Sequence, residues 1–221
     1  MLSNAEIIMI WNGVLETLYM TLAATLFGYL IGLPLGIALT ITDEKGIRPN
    51  RFVYQVLDFI VNITRSIPFL ILLVLLIPFT RFVVGVSYGS TATIVPLVIA
   101  AAPFIARLVE SSLKEVDKGV VEAAQSMGAN LRTIIWKVLI GEARTSLIVG
   151  VTIATSTILG YSAMAGAVGG GGLGSIAIQY GYYRNETVIT FITVILLILL
   201  VQILQGIGML ISKKTDRRRN R

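Results

Sequence analysis

The stretch GVVEAAQSMGANLRTIIWKVL, residues 119–139, decides how the whole chain is interpreted. Charged and amide side chains are too frequent in it for the stretch to cross a bilayer. Its apolar residues nevertheless recur every three or four positions, the period of one face of an α-helix. They are Val120, Ala124, Met127, Leu131, Ile134 and Val138. The pattern predicts one amphipathic helix on the surface of the protein.

The rest of the chain has the composition of a polytopic membrane protein. The 221 residues are 55% hydrophobic and 14% charged, whereas soluble domains carry roughly 25% charged residues. Cysteine and histidine are absent, which excludes disulfides, thiol nucleophiles and histidine ligands. We therefore expect no catalytic residues, no metal site and no cofactor bound by this chain.

Five segments are long and apolar enough to cross a bilayer, which takes about 20 residues. They are residues 16–41, 56–80, 90–112, 145–166 and 188–211. The second carries Asp58 and Arg65 in its first half, so we expect it to begin as an interfacial helix. It should enter the hydrocarbon near Ser66 and kink at Pro68. Asp58 and Arg65 are predicted to form a neutral structural pair on one helix face.

Lys and Arg residues lie almost entirely on one side of these spans. The connection after span 1, the central loop after span 3 with its helix-end flanks, and the C-terminal tail hold 15 of the 18. These are Lys45, Arg48, Arg51, Arg107, Lys114, Lys118, Arg132, Lys137, Arg144, Lys213, Lys214, Arg217, Arg218, Arg219 and Arg221. Because positive residues are retained in the cytoplasm, the N-terminus is predicted outside and the C-terminus inside. Anionic lipid suffices as partner of the basic tail, and no nucleic acid is expected. Residues 1–16 contain no Lys or Arg, so we expect no cleavable signal peptide.

Two features inside the spans concern packing and passage. Gly28, Gly32 and Gly36 form a ridge that is typical of close helix packing and less often of a substrate groove. The fourth span is rich in hydroxyl groups, which either bond to carbonyls of their own helix or face a water-accessible path. The candidate path residues are Thr152, Thr155, Ser156, Tyr161 and Met164, the last of which is alternatively core filler.

The glycine tract AGAVGGGGLG, residues 165–174, is not a nucleotide-binding loop. A phosphate loop needs Lys and then Ser or Thr after its last glycine, and no lysine is near. The predicted topology also places the tract outside the cell, and the tyrosines that follow are typical of a membrane–water interface. We predict a re-entrant or surface element that is either structural or a contact for an external partner.

Residues Glu122 to Gly128, EAAQSMG, make this chain resemble the membrane subunits of ABC importers. Those proteins carry Glu-Ala-Ala, three residues and Gly in a cytoplasmic loop before the penultimate span. Their pattern continues to a proline where this chain has Gly141, so we expect a softer bend there. Three further stretches are similar to the methionine-uptake permeases: RSIPFLILL at 65–73, WKVLIGEA at 136–143 and SAMAGAVGGGGLGSIAIQYGY at 162–182.

The resemblance implies an all-α integral membrane protein similar to type I ABC importer permeases. Residues 1–221 would form one transmembrane domain in the cell membrane (inner or plasma membrane), with a cytoplasmic coupling region at 113–143. The implied function is to form the path for an amino acid, with methionine as the expected cargo. The implied partners are two cytoplasmic ATPase subunits that use the ATP, a second copy of the chain and an external substrate-binding protein. The residues implied in docking the ATPase are Glu122, Ala123, Ala124, Gln125 and Gly128, within a coupling helix over 119–128. Gly128 is expected to let the chain turn toward Leu131.

Several alternatives remain open from the sequence. Residues 119–139 could lie on lipid instead of a partner, and the cargo could be another amino acid or small polar solute. A stand-alone secondary transporter is disfavoured because the spans lack the intramembrane carboxylates of ion-coupled carriers. A membrane enzyme is disfavoured because His, Cys and clustered carboxylates are missing from the spans.

Overall fold

The computed structural model describes residues 3–216, which are helical along most of their length. The α-helices are α1 (Asn4–Thr42), α2 (Arg51–Ser66), α3 (Phe69–Leu75), α4 (Ile77–Val84), α5 (Ser90–Lys114), α6 (Lys118–Ser126), α7 (Leu131–Thr133), α8 (Ile140–Glu142), α9 (Arg144–Ala165), α10 (Gly172–Ile176) and α11 (Thr187–Thr215). A 3-10 turn spans Gly166–Val168, and π-helical segments span Ile134–Leu139 and Ala177–Tyr182. The tail residues Arg217, Arg218, Arg219 and Arg221, which we assigned to the cytoplasm, lie outside the described residues.

Four helical stretches of the described chain are apolar and long enough to cross a membrane, or five if a bent pair forms one span. They are Asn4–Thr42, Ser90–Lys114, Arg144–Tyr182 and Thr187–Thr215. The first helix begins well before residue 16, where we predicted the apolar span to begin. Its start is a capping box: Ser3 N–H donates to the Glu6 carboxylate at 2.6 Å, and Glu6 N–H donates to the Ser3 hydroxyl at 3.3 Å.

The predicted break in the second span is confirmed. Helix α2 ends at Ser66, α3 begins at Phe69 after Pro68, and the two helices are bent by 100°. Proline has no N–H and disfavours helical geometry at the residue before it, so Ile67 cannot continue α2 smoothly.

The predicted pairing of Asp58 with Arg65 is wrong. Residues seven apart on one helix face are separated by about 10 Å along its axis, which is too far for a direct ion pair. Asp58 instead pairs with Arg107 of α5. Arg65 is exposed and takes part in none of the ion pairs found within residues 3–216.

The described chain forms two compact units. The first contains the described residues up to Phe27, Ile67–Ala101 and Thr155–Gln205. The second contains Gly28–Ser66, Ala102–Ala154 and the described residues from Gly206 onward. Each unit is stabilised by its own set of contacts.

In the second unit, α1 and α5 approach each other closely at two glycines. A methyl group added at Gly36 would lie 2.6 Å from both the Ala106 carbonyl oxygen and Val109 Cβ, and one at Gly32 would lie 2.7 Å from the Ala102 carbonyl. Only glycine permits this approach, which confirms helix packing as the role of Gly32 and Gly36 in the predicted ridge. A buried cluster lies beside it, made of Leu39, Val61 and Ala106 with Leu35, Tyr54 and Leu57 packed against it.

In the first unit, the glycine tract is folded against α1 and α5 by hydrogen bonds to its backbone. The Glu16 carboxylate accepts from the N–H of Gly172 at 2.6 Å, and the Thr17 hydroxyl accepts from the N–H of Leu173 at 2.9 Å. The Thr93 hydroxyl donates to the Gly170 carbonyl at 3.2 Å. These contacts support the structural alternative for the tract.

Candidate functional site

The surface helix at mid-chain, α6, is a short and separately capped element. Asp117 caps its first turn by accepting the Gly119 N–H at 2.7 Å. At its end, Gly128 adopts φ +77, its N–H donates to the Gln125 carbonyl at 2.9 Å, and the Ala129 N–H donates to the Ala124 carbonyl at 3.0 Å. This pair of bonds is a Schellman cap. The turn that we predicted at Gly128 is therefore present.

The helical period over residues 119–139 does not correspond to one helix, whereas the shorter helix that the resemblance implies over 119–128 matches α6, Lys118–Ser126. The chain leaves the helix after Ser126 and starts again at α7, where Asn130 caps it by accepting the Thr133 N–H at 2.8 Å. The apolar period continues across this break by coincidence, so the predicted face is not one surface. Val120 and Met127 are 43% and 81% exposed.

The residues predicted to dock an ATPase divide into one anchor and an exposed group. Ala124 is only 6% exposed, and α6 packs against the π-helical segment Ile134–Leu139. The residues that face outward are Glu122, Ala123, Gln125 and Gly128. They offer a carboxylate, an amide and little bulk, a surface suited to recognising a protein. Their role in docking stays a prediction.

Beside α6 lies a cleft of about 900 Å³ within the second unit, which we call the docking cleft. One wall comes from α6 and the end of α5, and the other from the connection between α1 and α2 and the start of α2. Its charged and amide lining residues are Asp43, Glu44, Lys45, Arg51, Gln55, Lys114, Lys118, Glu122 and Gln125. Apolar side chains such as Val121, Leu113 and Leu139 complete the lining.

A ladder of alternating charges connects α5 to α2 and to the connection between α1 and α2. Arg107 pairs with Asp58 and, at 2.7 Å, with Glu110; Lys114 pairs with Glu110 and with Asp43, each at 2.8 Å. Glu110 is only 4% exposed, so its ion pairs offset the cost of removing its charge from water. The hydrogen bond from the Lys114 ammonium group, followed by that from the Lys45 N–H, holds the pKa of Asp43 below its ordinary value of 3.8.

Sequence reasoning missed this ladder, although a signal was present. Arg107, Glu110 and Lys114 alternate in sign at steps of three and four, which places them on one face of α5. Within residues 3–216, no group of three acidic side chains could hold a metal ion. The ladder connects α5 to α2 and to Asp43, directly after the end of α1.

The candidate path residues of α9 fall in different surroundings. Thr152 belongs to the second unit, is buried, donates its hydroxyl to the Ile148 carbonyl at 2.9 Å and packs against Gly208 of α11. In the first unit, Tyr161 stacks on Phe69 with ring centroids 4.6 Å apart.

The other three path candidates also lie in the first unit. Thr155 is buried, Ser156 is half-buried and Met164 is 50% exposed. Helix α9 alone does not present all the candidates on one open face. Their role in passage stays a prediction.

Apolar helices long enough to span a membrane, with a short capped helix in the polar connection between two of them, define a membrane-spanning protein. A family model described as "Binding-protein-dependent transport system inner membrane component" matches residues 28–217, and the chain belongs to this family. The predictions of ABC importer membership and of inner-membrane location are thereby confirmed.

Two relatives are named for methionine transport. The "Probable D-methionine transport system permease protein MetI" of Vibrio cholerae is 50% identical over 203 residues, covering 92% of this chain and 90% of the relative. The "Methionine import system permease protein MetP" of Bacillus subtilis is 48% identical over 215 residues, covering 97% of both chains.

Solved structures agree with the fold. A chain of the MetNI methionine ABC transporter, described in inward-facing conformations, is 46% identical with a TM-score of 0.96 and covers 98% of this chain and all of its own length. A chain of an amino acid ABC transporter with histidines is 19% identical with a TM-score of 0.77, covers 97% of this chain and 99% of its own, and shows the fold alone. The all-α fold of a type I importer permease is confirmed.

Proposed function

We propose that this chain is the membrane-spanning subunit of an ATP-driven importer of methionine. The observation that carries this proposal is a likeness that extends along the whole chain. The Vibrio cholerae and Bacillus subtilis relatives, both named for methionine transport, are 48–50% identical over at least 90% of each chain. A chain of a methionine ABC transporter has the same fold with a TM-score of 0.96.

The proposed assembly contains two copies of this chain, two cytoplasmic ATPase subunits and an external substrate-binding protein. Five spans in one chain are too few to enclose a path for a polar amino acid, so a two-fold pair is expected to form it. ATP is bound and hydrolysed by the partner subunits, and this chain binds no cofactor of its own.

The coupling step is derived from α6 and its contacts. An exposed Glu122 and Gln125 can be held by the ATPase, while the caps at both ends keep α6 rigid. Movement of α6 passes to the π-helical segment Ile134–Leu139, against which it packs. That segment continues through α8 to the start of α9 at Arg144, which leads into a span. ATP shifts the equilibrium between two conformations of the transporter because the ATPase binds ATP more tightly in one of them.

Uptake by the reconstituted transporter tests the proposal directly. Vesicles containing the permease, the ATPase and the binding protein should accumulate labelled methionine only when ATP is supplied on the side of the membrane that carries the ATPase. Excess unlabelled methionine should compete, and other amino acids should not. If a different solute competed more strongly than methionine, that solute would be the transported substrate. Uptake without the ATPase would establish a secondary transporter.

Charge reversal on α6 tests the coupling role. Glu122→Lys and Gly128→Leu should each abolish ATP-dependent uptake while the permease still inserts into the membrane. Glu142→Lys is the matched control, because Glu142 is exposed in the same cytoplasmic region but lies outside α6. Unchanged uptake by Glu122→Lys would remove the coupling assignment.

A further inference from the structure

We propose that the connection between α1 and α2 together with the first residue of α2, residues 43–51, forms a second wall for docking the ATPase subunit, opposite α6. The inference rests on the proposed function, because it takes the partner of α6 to be that ATPase. It goes further by assigning the partner a contact surface that carries no family motif.

The geometry of the docking cleft carries the argument. Glu122 and Gln125 are exposed and both line the cleft, as do Lys45 and Arg51 of the opposite wall. A partner that contacts these two α6 side chains from within the cleft also meets the opposite wall. With a volume of about 900 Å³, the cleft can admit a loop or a helix end of another protein.

The second wall is preformed rather than loose. Its turn is closed by hydrogen bonds from the Arg48 N–H to the Ile41 carbonyl at 3.1 Å and from the Asn50 N–H to the Thr42 carbonyl at 2.9 Å. The ion pair between Lys114 and Asp43, at 2.8 Å, fastens the turn to the end of α5. Such a wall loses little conformational entropy when a partner binds.

The charges of the cleft favour a protein partner over a lipid surface. Lys45, Arg51 and Lys118 are accompanied by Glu44 and Glu122. Anionic lipid attracts clusters of basic residues, whereas this lining alternates both signs with amides and apolar side chains. Interfaces between proteins likewise combine charged, amide and apolar side chains.

Charge reversal in the complete transporter tests the second wall. Lys45→Glu combined with Arg51→Glu should raise the ATPase concentration needed for half-maximal uptake about tenfold, with uptake restored at saturating ATPase. Lys213→Glu with Lys214→Glu is the matched control, since it reverses two exposed charges at the end of α11 outside the cleft. An unchanged ATPase requirement overturns the inference.

Cross-linking gives a second measurement that does not depend on charge reversal. The chain has no cysteine, so a photo-reactive maleimide can be placed at Lys45→Cys, in the cleft, or at Arg48→Cys, exposed on the same turn but outside the cleft lining. In the complete transporter, the probe at 45 should capture the ATPase several-fold more than the probe at 48. Equal capture, or capture of lipid alone at 45, overturns the inference.

The two proposals fail in different ways. If Glu122→Lys abolishes uptake while reversal at Lys45 and Arg51 changes nothing, the second wall is wrong and the coupling role of α6 stands. If Glu122→Lys leaves uptake unchanged, the coupling role itself is wrong.

Discussion

Two regions of this protein are held together by different kinds of contact. Around Arg107, in the second unit, charged side chains from α2, α5 and the α1–α2 connection pair in a ladder. Around the glycine tract, in the first unit, side chains of α1 and α5 bond instead to backbone groups, and backbone segments touch directly. An ion-pair ladder depends on which side chains are present, whereas the tract depends on which side chains are missing. The two regions should therefore respond differently to substitution.

The largest effect is expected from removing the central charge of the ladder. Arg107→Met leaves Asp58 and the buried Glu110 without their shared partner and should destabilise the protein by about 3 kcal/mol. The measurement is the thermal unfolding midpoint of the purified transporter, followed by tryptophan fluorescence. Arg65→Met, which removes an exposed charge outside the ladder, should change stability by about 0.5 kcal/mol at most. Equal shifts for the two variants would show that the ladder does not stabilise the unit.

A single methyl group should disturb the glycine tract almost as much. At Gly174 it would collide with the backbone of Ala163, which cannot move aside as a flexible side chain does. Gly174→Ala should cost about 2 kcal/mol in the same thermal assay. Gly160→Ala, where an added methyl meets nothing within 4 Å, is the control and should be neutral or slightly stabilising. A neutral Gly174→Ala would contradict the close backbone approach.

Removing one hydroxyl separates the hydrogen bonds of the tract from its close packing. Thr17→Val leaves the N–H of the buried Leu173 without its acceptor and should cost about 1.5 kcal/mol. The hydroxyl of Thr40 donates only to a carbonyl of its own helix, that of Gly36, so Thr40→Val should have little effect. Amide hydrogen exchange at Leu173 should accelerate in Thr17→Val alone. Unchanged exchange there would contradict the assigned bond.

The smallest effect is a pH dependence at the exposed end of the ladder. Because folding lowers the pKa of Asp43, its ion pair with Lys114 stabilises the protein above the ordinary value of 3.8 and is lost as the pH falls below it. Asp43→Asn should lower the free energy of unfolding by less than about 1 kcal/mol at pH 7, and the difference from the unsubstituted protein should vanish in acid. A difference that grows in acid would reverse the sign of the assignment.

The sequence predicts features that depend on whole segments better than features that depend on which side chains meet. Hydropathy indicates the spans because the bilayer acts on whole segments, and the placement of Lys and Arg predicts their orientation. The partner of Asp58 could not be found in this way, because it lies 49 residues along the chain and depends on how α2 and α5 pack. Periodicity also failed across residues 127–130, where a glycine and a capping asparagine end one helix and start another.

The candidate site was only partly accessible for a related reason. The motif EAAQSMG is local, so the prediction for Glu122 and Gly128 needs only seven consecutive residues. The docking cleft combines residues 40–55 with 113–139 and has no motif of its own. The path candidates of α9 depend on neighbours that periodicity does not specify, as the stacking of Tyr161 on Phe69 illustrates.

The glycine contacts between α1 and α5 limit which parts of the transporter can slide. At Gly32 and Gly36 the backbone of α1 lies against Ile105 and Val109 without an intervening side chain. A shift of α1 along α5 would drive bulkier neighbours of these glycines into the same branched side chains. Between residues 28–42 and 102–114 the two helices therefore behave as one rigid strut. The transport cycle must bend at other joints, and Pro68 and Ala143 are among the breaks between helices.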